Sequence, residues 1–96
     1  MEVGTYQILY HESVLSDIEK ITKADRKKIQ KAIEKKLRTN PVLFGKPLRS
    51  SLSGYRKLRV GEYRVVYQVL PKKKVLVIVI AHRRHIYIRA EKRIST

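Results

Sequence analysis

The predicted fold rests on residues 55–70, which read Tyr55-Arg56-Lys57-Leu58-Arg59-Val60-Gly61-Glu62-Tyr63-Arg64-Val65-Val66-Tyr67-Gln68-Val69-Leu70. Two runs rich in β-branched and aromatic residues flank Gly61-Glu62, a pattern typical of a β-hairpin. Glycine at the first central position suits a type II′ turn. That turn sets Val60 opposite Tyr63, Arg59 opposite Arg64 and Lys57 opposite Val66.

Side chains alternate between the two faces of a strand, so the hairpin is predicted to have one apolar and one cationic face. The apolar face is expected to hold Leu58, Val60, Tyr63, Val65, Tyr67 and Val69. The cationic face is expected to hold Tyr55, Lys57, Arg59, Arg64 and Gln68, together with Val66.

A third strand is predicted at 75–80, a six-residue apolar run typical of a strand buried on both faces. It follows the polar connection Pro71-Lys72-Lys73-Lys74. If this loop pairs Leu70 with Val75, then Ala81 and Arg83 join the cationic face and His82 lies on the core side. A bulge would reverse the assignment of His82.

The rest of the chain predicts one further strand and two helices. Residues 5–10 resemble a strand whose partner the sequence does not indicate. Ser13 is a fair N-cap for a short amphipathic helix, and Thr22 begins a second helix that runs to about Arg38. The predicted fold class is α+β, a small antiparallel sheet with an αα-hairpin on one face, in one domain over 1–96. Residues 88–94 are interpreted as a short helix or a frayed end.

Composition excludes several classes of protein. The 96 residues include no cysteine, which excludes disulfides and thiolate metal sites. The carboxylates are scattered and His82-x-x-His85 alone is a weak zinc signal, so neither metal nor cofactor is expected. The apolar runs are too short to cross a membrane. Residues 1–5 lack signal-peptide features, and a cytoplasmic location is expected.

The net charge of +15 is unevenly distributed. Residues 1–34 hold six basic and six acidic side chains, whereas residues 35–96 hold seventeen basic side chains against Glu62 and Glu91. A solubility charge would not need this segregation, whereas a polyanion such as nucleic acid would favour it, because many phosphate contacts release counterions together.

The order of elements, with Leu58 to Tyr67 and the ending His82-Arg83-Arg84-His85-Ile86-Tyr87, resembles the RelE/ParE toxin superfamily over nearly the whole chain. The resemblance implies the toxin of a toxin–antitoxin pair, with a cognate antitoxin protein as partner. RelE-like members cut messenger RNA on the ribosome, without metal, by driving the 2′-hydroxyl onto the neighbouring phosphate. ParE-like members share the fold but act on DNA gyrase.

The resemblance also implies roles for individual residues. Carried over by motif, Lys57, Arg64, Arg83 and Tyr87 are catalytic candidates. A second lysine of RelE-like enzymes falls on Tyr55 here, and the segment between Arg83 and Tyr87 is shorter than in the best-known form. His82 and His85 therefore become candidates for proton transfer, and the identity of the base stays open. The candidate RNA-binding residues are Arg56, Arg59, Arg84, Lys72, Lys73 and Lys74.

Two function classes follow from these observations. The first is a ribosome-dependent endoribonuclease; the second is a non-catalytic binder, either a ParE-type gyrase inhibitor or another basic nucleic-acid-binding protein. Clustering of the four motif residues favours the enzyme. An acidic antitoxin is expected to cover the cationic face, because Val66, Val75, Val77 and Val79 would be exposed there unless the C-terminal segment covers them.

Overall fold

The computed structural model describes residues 5–95, so the signal-peptide prediction, which concerns residues 1–5, falls almost wholly outside the described part. Five strands form one sheet in the order β1-β5-β4-β3-β2. Their bounds are β1 Gln7–Tyr10, β2 Lys46–Pro47, β3 Arg56–Val60, β4 Tyr63–Leu70 and β5 Lys74–His82. Strands β2 to β5 are antiparallel, whereas β1 runs parallel to β5. The predicted α+β fold is confirmed, with a parallel edge strand added.

The helices are α1 Val14–Glu19, α2 Lys23–Ala32 with a π-helical continuation Ile33–Leu37, α3 Pro41–Phe44 and α4 Ile86–Ile94. A 3₁₀ turn covers Ser50–Leu52. Thr22 caps α2 as predicted, because its hydroxyl accepts the Asp25 amide at 3.2 Å. In the described part of the chain, no helix has both the length and the apolar character needed to span a bilayer.

The first core lies between α1, α2 and one face of the sheet, as the sequence predicts. Ile29, Ile33 and Leu37 of the second helical segment are buried against Val65 and Tyr67 of β4. Burying such side chains stabilises the fold by about 1.5–3 kcal/mol each. The periodic apolar stripe of α2 thus fixes which face of the sheet becomes the helix-covered face.

The hairpin register is the predicted one. Val60 pairs with Tyr63, Arg59 with Arg64 and Lys57 with Val66. Gly61 has a φ of +59°, a left-handed conformation that glycine adopts without a steric penalty. The two-residue turn and the alternation of side chains are therefore sufficient to orient β3 and β4.

The predicted register of the second hairpin is wrong at its loop. Leu70 pairs with Lys74 rather than Val75, and a register shift between Val66 and Tyr67 restores the expected pairs farther along. Arg64 is opposite Ala81, and Tyr63 is opposite His82, as predicted. The tighter loop and the bulge each shift the strand by one residue, so their effects on His82 cancel.

A second core on the opposite face corrects the prediction of an exposed apolar strip. Helix α4 places Ile86 and Ala90 against Val66 and Val79, which are fully buried. Val75 and Val77 belong instead to the core beneath α1 and α2, because the tighter loop reverses their orientation. The C-terminal segment therefore covers the valines that the antitoxin was expected to meet.

An ion pair joins α4 to α1 at the edge of β5, and the sequence does not predict this contact. The Arg93 guanidinium donates to both carboxylate oxygens of Asp17, at 2.6 and 3.0 Å, and to the Ile78 carbonyl at 2.9 Å. Asp17 also accepts the Ile80 amide at 3.1 Å. The ion pair thus satisfies edge groups of β5 beyond the end of β1.

Candidate functional site

A ladder of cations crosses three adjacent strands on the face that α4 partly covers. Lys46 pairs with Lys57 across β2 and β3, and Arg59 pairs with Arg64 across β3 and β4. Cross-strand partners point to the same face, and like charges directly opposite one another destabilise a sheet. Two such pairs side by side do not contribute to the stability of the sheet. Their placement is typical of a face that binds a polyanion.

Tyr87 meets this ladder from the first turn of α4. The Lys57 ammonium donates to the Tyr87 hydroxyl at 2.5 Å and lies 5.0 Å from the centre of its ring. Tyr87 remains 46% exposed, so a ligand can reach both groups. The contact places a cation, a hydroxyl and an aromatic ring at one accessible point.

A groove of about 450 Å³ adjoins the Lys57–Tyr87 pair. Its lining combines cationic and apolar side chains with one acidic residue, and consists of Lys46, Pro47, Leu48, Arg49, Leu52, Lys57, Tyr87 and Glu91. The hydroxyl of Ser51 donates to Glu91. Lys46 and Arg49 were not among the predicted site residues, although the absence of any acidic residue from 35–61 was a signal for them.

Arg64 and Arg83 lie toward the end of the sheet that carries the β3–β4 turn. The Arg64 guanidinium donates to the Gly61 and Tyr63 carbonyls, each at 2.9 Å, so the turn holds it in place. The Arg83 side chain is 55% exposed and pairs with Glu62 at 3.1 Å. An exposed pair of this kind contributes only about 0–1 kcal/mol, so a phosphate can replace the carboxylate.

His82 lies on the core side, as predicted. Its ring contacts Tyr63 edge-on, with 5.7 Å between centroids, and its Nδ1 accepts the Arg84 amide at 3.2 Å. A neutral ring in this geometry carries its proton on Nε2, which lies 3.9 Å from Glu62. The only lone pair of the neutral ring is therefore engaged, which disfavours His82 as a base.

His85 is exposed at the N-cap of α4, with its ring 6.3 Å from that of His82. Within residues 5–95, none of the hydrogen bonds or ring contacts joins either histidine to Lys57 or Tyr87. The predicted catalytic residues thus form two neighbouring groups. Over the same residues, no three His, Cys, Asp or Glu side chains form a possible metal-binding cluster.

The predicted RNA-binding residues are dispersed. The Arg56 guanidinium donates to the Val42 and Gly45 carbonyls at 2.6 and 2.7 Å, which makes it a structural residue. Lys72 and Lys73 lie in the β4–β5 turn, and Lys74 begins β5. This turn is at the opposite end of the sheet from Arg64 and Arg83. The length of β4 places the turn roughly 23 Å from Tyr63. Arg59 and Arg84 are exposed near the turn that carries Glu62.

Comparison with known proteins assigns the class. Residues 8–87 match the family described as the ParE toxin of the type II toxin–antitoxin system parDE. A RelE-like toxin protein of Escherichia coli is 31% identical over 80 residues, which cover 82% of this chain and 83% of that protein. The chain therefore belongs to the RelE/ParE toxin superfamily, the toxins of type II toxin–antitoxin systems.

Solved toxin structures resemble this fold, among them the following two. The isolated RelE toxin of Escherichia coli is 29% identical, with a TM-score of 0.65 over 93% of this chain and 98% of that chain. The toxin–antitoxin complex RelBE2 of Mycobacterium tuberculosis gives a TM-score of 0.78 at 24% identity, over 85% of this chain and 95% of that chain, a likeness of fold alone.

Proposed function

We propose that this toxin is a ribosome-dependent endoribonuclease that cleaves messenger RNA without a metal ion. The observation that carries the proposal is the contact between Lys57 and Tyr87 on a ladder of like-charged residues. A protein that only bound nucleic acid would need the charge but not a tyrosine hydroxyl in hydrogen-bond contact with an ammonium. The resemblance to RelE-like enzymes supports the same conclusion.

The reaction needs a proton acceptor, a cationic environment and a proton donor. The RNA 2′-hydroxyl loses its proton and attacks the adjacent phosphorus, while the 5′-oxygen leaves and takes up a proton. The products are a 2′,3′-cyclic phosphate and a free 5′-hydroxyl. Arg64 and Arg83 are suited to contact the phosphate oxygens, because a guanidinium presents paired donors.

Lys57 and Tyr87 are suited to the proton steps and to orienting the substrate. The ammonium stabilises the negative charge that develops on the phosphate, and the hydroxyl orients or exchanges a proton with a ribose or leaving oxygen. The Tyr87 ring is accessible for stacking on a base. His85 stays a candidate for proton transfer, whereas His82 is better suited to holding the turn after β5 through the Arg84 amide.

The proposed partners are messenger RNA on the ribosome and a cognate antitoxin, in the cytoplasm. The RelBE toxin–antitoxin complex of Escherichia coli, which matches this chain at 29% identity, supports a protein partner here. An antitoxin that shields Lys57 and Tyr87 would prevent RNA from reaching them. It need not pack apolar anchors on Val66 and Val79, because α4 already covers them.

A ParE-type gyrase inhibitor is the second candidate, favoured by the family description that matches residues 8–87. Mapping of transcript ends and chromosomal breaks after brief induction distinguishes the two. We expect cuts within translated transcripts, in register with codons, and intact DNA. Chromosomal breaks with intact transcripts would instead assign the chain to the gyrase class.

A further inference from the structure

Helix α3 presents an unusual surface, which we call the α3 knuckle and define as Val42, Leu43 and Phe44. Their exposed fractions are 52%, 70% and 44%. Three consecutive large apolar side chains in solvent are unfavourable for a free protein and are typical of a binding surface. The groove with Lys57 and Tyr87 makes no use of them.

The polar backbone groups of the knuckle are bonded inward. The buried Tyr67 hydroxyl donates to the Pro41 carbonyl at 2.6 Å, and the Arg56 guanidinium donates to the Val42 and Gly45 carbonyls. The Asn40 side chain accepts the Leu43 amide at 3.2 Å. The backbone is thereby held rigid while the apolar side chains are displayed, which lowers the entropic cost of binding.

Packing beneath the knuckle is equally restrictive. A Cβ atom added to Gly45 would lie 1.7 Å from the Tyr67 hydroxyl, so any other residue there would displace either the turn or the buried Tyr67 ring. Pro41 is fully buried on the same side. The position of the knuckle is therefore fixed by the core and not by chance exposure of a loose loop.

The charge around the knuckle indicates the chemistry of its partner. Residues 35–61 contain eight lysines and arginines and no acidic residue. Lys36 lies 5.8 Å from the centre of the Phe44 ring. A second copy of this chain, itself strongly basic, would meet repulsion here. Nucleic acid could stack on the Phe44 ring, but it would gain little from Val42 and Leu43, which offer neither stacking nor hydrogen bonds. Two of the three side chains therefore favour an apolar partner.

We propose that the α3 knuckle is a docking surface for an acidic polypeptide segment that carries adjacent apolar side chains. The apolar side chains pack on Val42, Leu43 and Phe44, and the carboxylates meet the surrounding cations, Lys36 and Lys46 among them. The surface lies beside the candidate site, because Lys46 belongs to the groove that contains Tyr87. A bound segment can therefore extend over the entrance to that groove.

The test uses the full chain and two labelled 20-residue peptides, one of glutamate, alanine and leucine at helical spacing, the other with serine in place of leucine. Binding is followed by fluorescence anisotropy at two salt concentrations. Leu43→Ser should weaken binding of the leucine peptide about tenfold or more, because an interface anchor is lost. It should leave the serine peptide, held by charge alone, unchanged. Val42→Ser should act in the same direction.

Leu15→Ser is the matched control, because Leu15 is 66% exposed on α1 beside a separate apolar groove. It should leave binding unchanged. Equal losses for Leu15→Ser and Leu43→Ser, or no loss for either, would overturn the proposal. A loss for Leu43→Ser confined to a twelve-residue uridine RNA tested in parallel would also overturn it, by making the knuckle an RNA contact.

Discussion

Lys57 and Tyr87 are 30 positions apart in the chain and meet because α4 begins immediately after the turn that follows β5. Neither residue is sequestered, so the contact can be exchanged for contacts with a substrate. A lysine alone would be an ordinary member of a solvated strand face. The Tyr87 hydroxyl beside Lys57 adds a group that can donate, accept or exchange a proton.

Replacing either member of the pair should impair RNA cleavage. Lys57→Met keeps the length of the side chain and removes the ammonium, and Tyr87→Phe keeps the ring and removes the hydroxyl. Each should slow single-turnover cleavage on programmed ribosomes by roughly a hundredfold or more, because a contact made in the transition state is lost. Lys31→Met, on the exposed side of α2, is the control. Equal rates for Lys57→Met and Lys31→Met would remove Lys57 from the site.

Tyr67 predicts a pH dependence of stability. Burial raises the pKa of its hydroxyl above the ordinary value of about 10, while hydrogen bonding and the charge of nearby Arg56 oppose this effect. The unfolded tyrosine therefore loses its proton first. The free energy of unfolding is unaffected by this group below about pH 10 and falls as the pH rises from there through the folded pKa.

The variant Tyr67→Phe should remove this part of the alkaline decline. At neutral pH it should lower the free energy of unfolding by about 1 kcal/mol, because the bond to the Pro41 carbonyl is lost. Urea unfolding between pH 7 and 11 measures both effects. Parallel pH curves for the variant and the wild type would contradict the assignment.

At the scale of elements, β5 depends on groups from both ends of the chain. Beyond the end of β1, its Ile80 amide bonds to Asp17 of α1 and its Ile78 carbonyl to Arg93 of α4. Asp17 and Arg93 therefore supply the hydrogen-bond partners that a neighbouring strand would supply to this edge. It also fixes α4, and with it Tyr87, relative to the sheet.

Breaking this ion pair should destabilise the protein. Arg93→Met leaves the carboxylate of Asp17, only 2% exposed, without its cationic partner, and should lower the free energy of unfolding by roughly 3–5 kcal/mol. Urea unfolding at pH 7 is the measurement. Lys92→Met removes the same charge from an exposed neighbour and should change stability by less than about 0.5 kcal/mol. Similar losses for the two variants would show that the helix, not the ion pair, is responsible.

Across the molecule, the segregation of charge along the sequence coincides with a division between structural elements. The balanced segment 1–34 supplies β1, α1 and all of α2, whereas the basic segment supplies the cationic ladder and α4. Repulsion along the ladder lowers stability, and binding of a polyanion relieves it. Stability and RNA affinity are therefore expected to change in opposite directions.

Arg59→Ser tests this opposition. The change removes one of two arginines that lie directly opposite each other, so the free energy of unfolding should rise by about 0.2–1 kcal/mol. Affinity for single-stranded RNA should fall, and the slope of log affinity against log salt should decrease by about 0.7. Lys31→Gln, which keeps a good helix former on the exposed side of α2, should leave both quantities unchanged. Lower stability together with an unchanged slope would contradict the role given to the ladder.

Features that depend on residues close together in the chain could be predicted from the sequence. Gly61-Glu62 fixes the register of β3 and β4, Thr22 caps α2, and alternation separates Leu58 from Lys57. Turn chemistry and side-chain periodicity act over a few residues, so they can be read without knowing the rest of the fold. Lys57 and Arg64 could be assigned to one face for the same reason.

Contacts between distant segments could not be predicted from the sequence and are seen only in the folded protein. The parallel pairing of β1 with β5, the bulge near Tyr67, the pair Asp17–Arg93 and the contact of Lys57 with Tyr87 depend on how whole elements pack. A one-residue change in a loop reverses the face of Val75 and Val77, and no local pattern reports it. Packing of α4 against the sheet covers Val66 and Val79 for the same reason, because burial is decided by the shape of both partners.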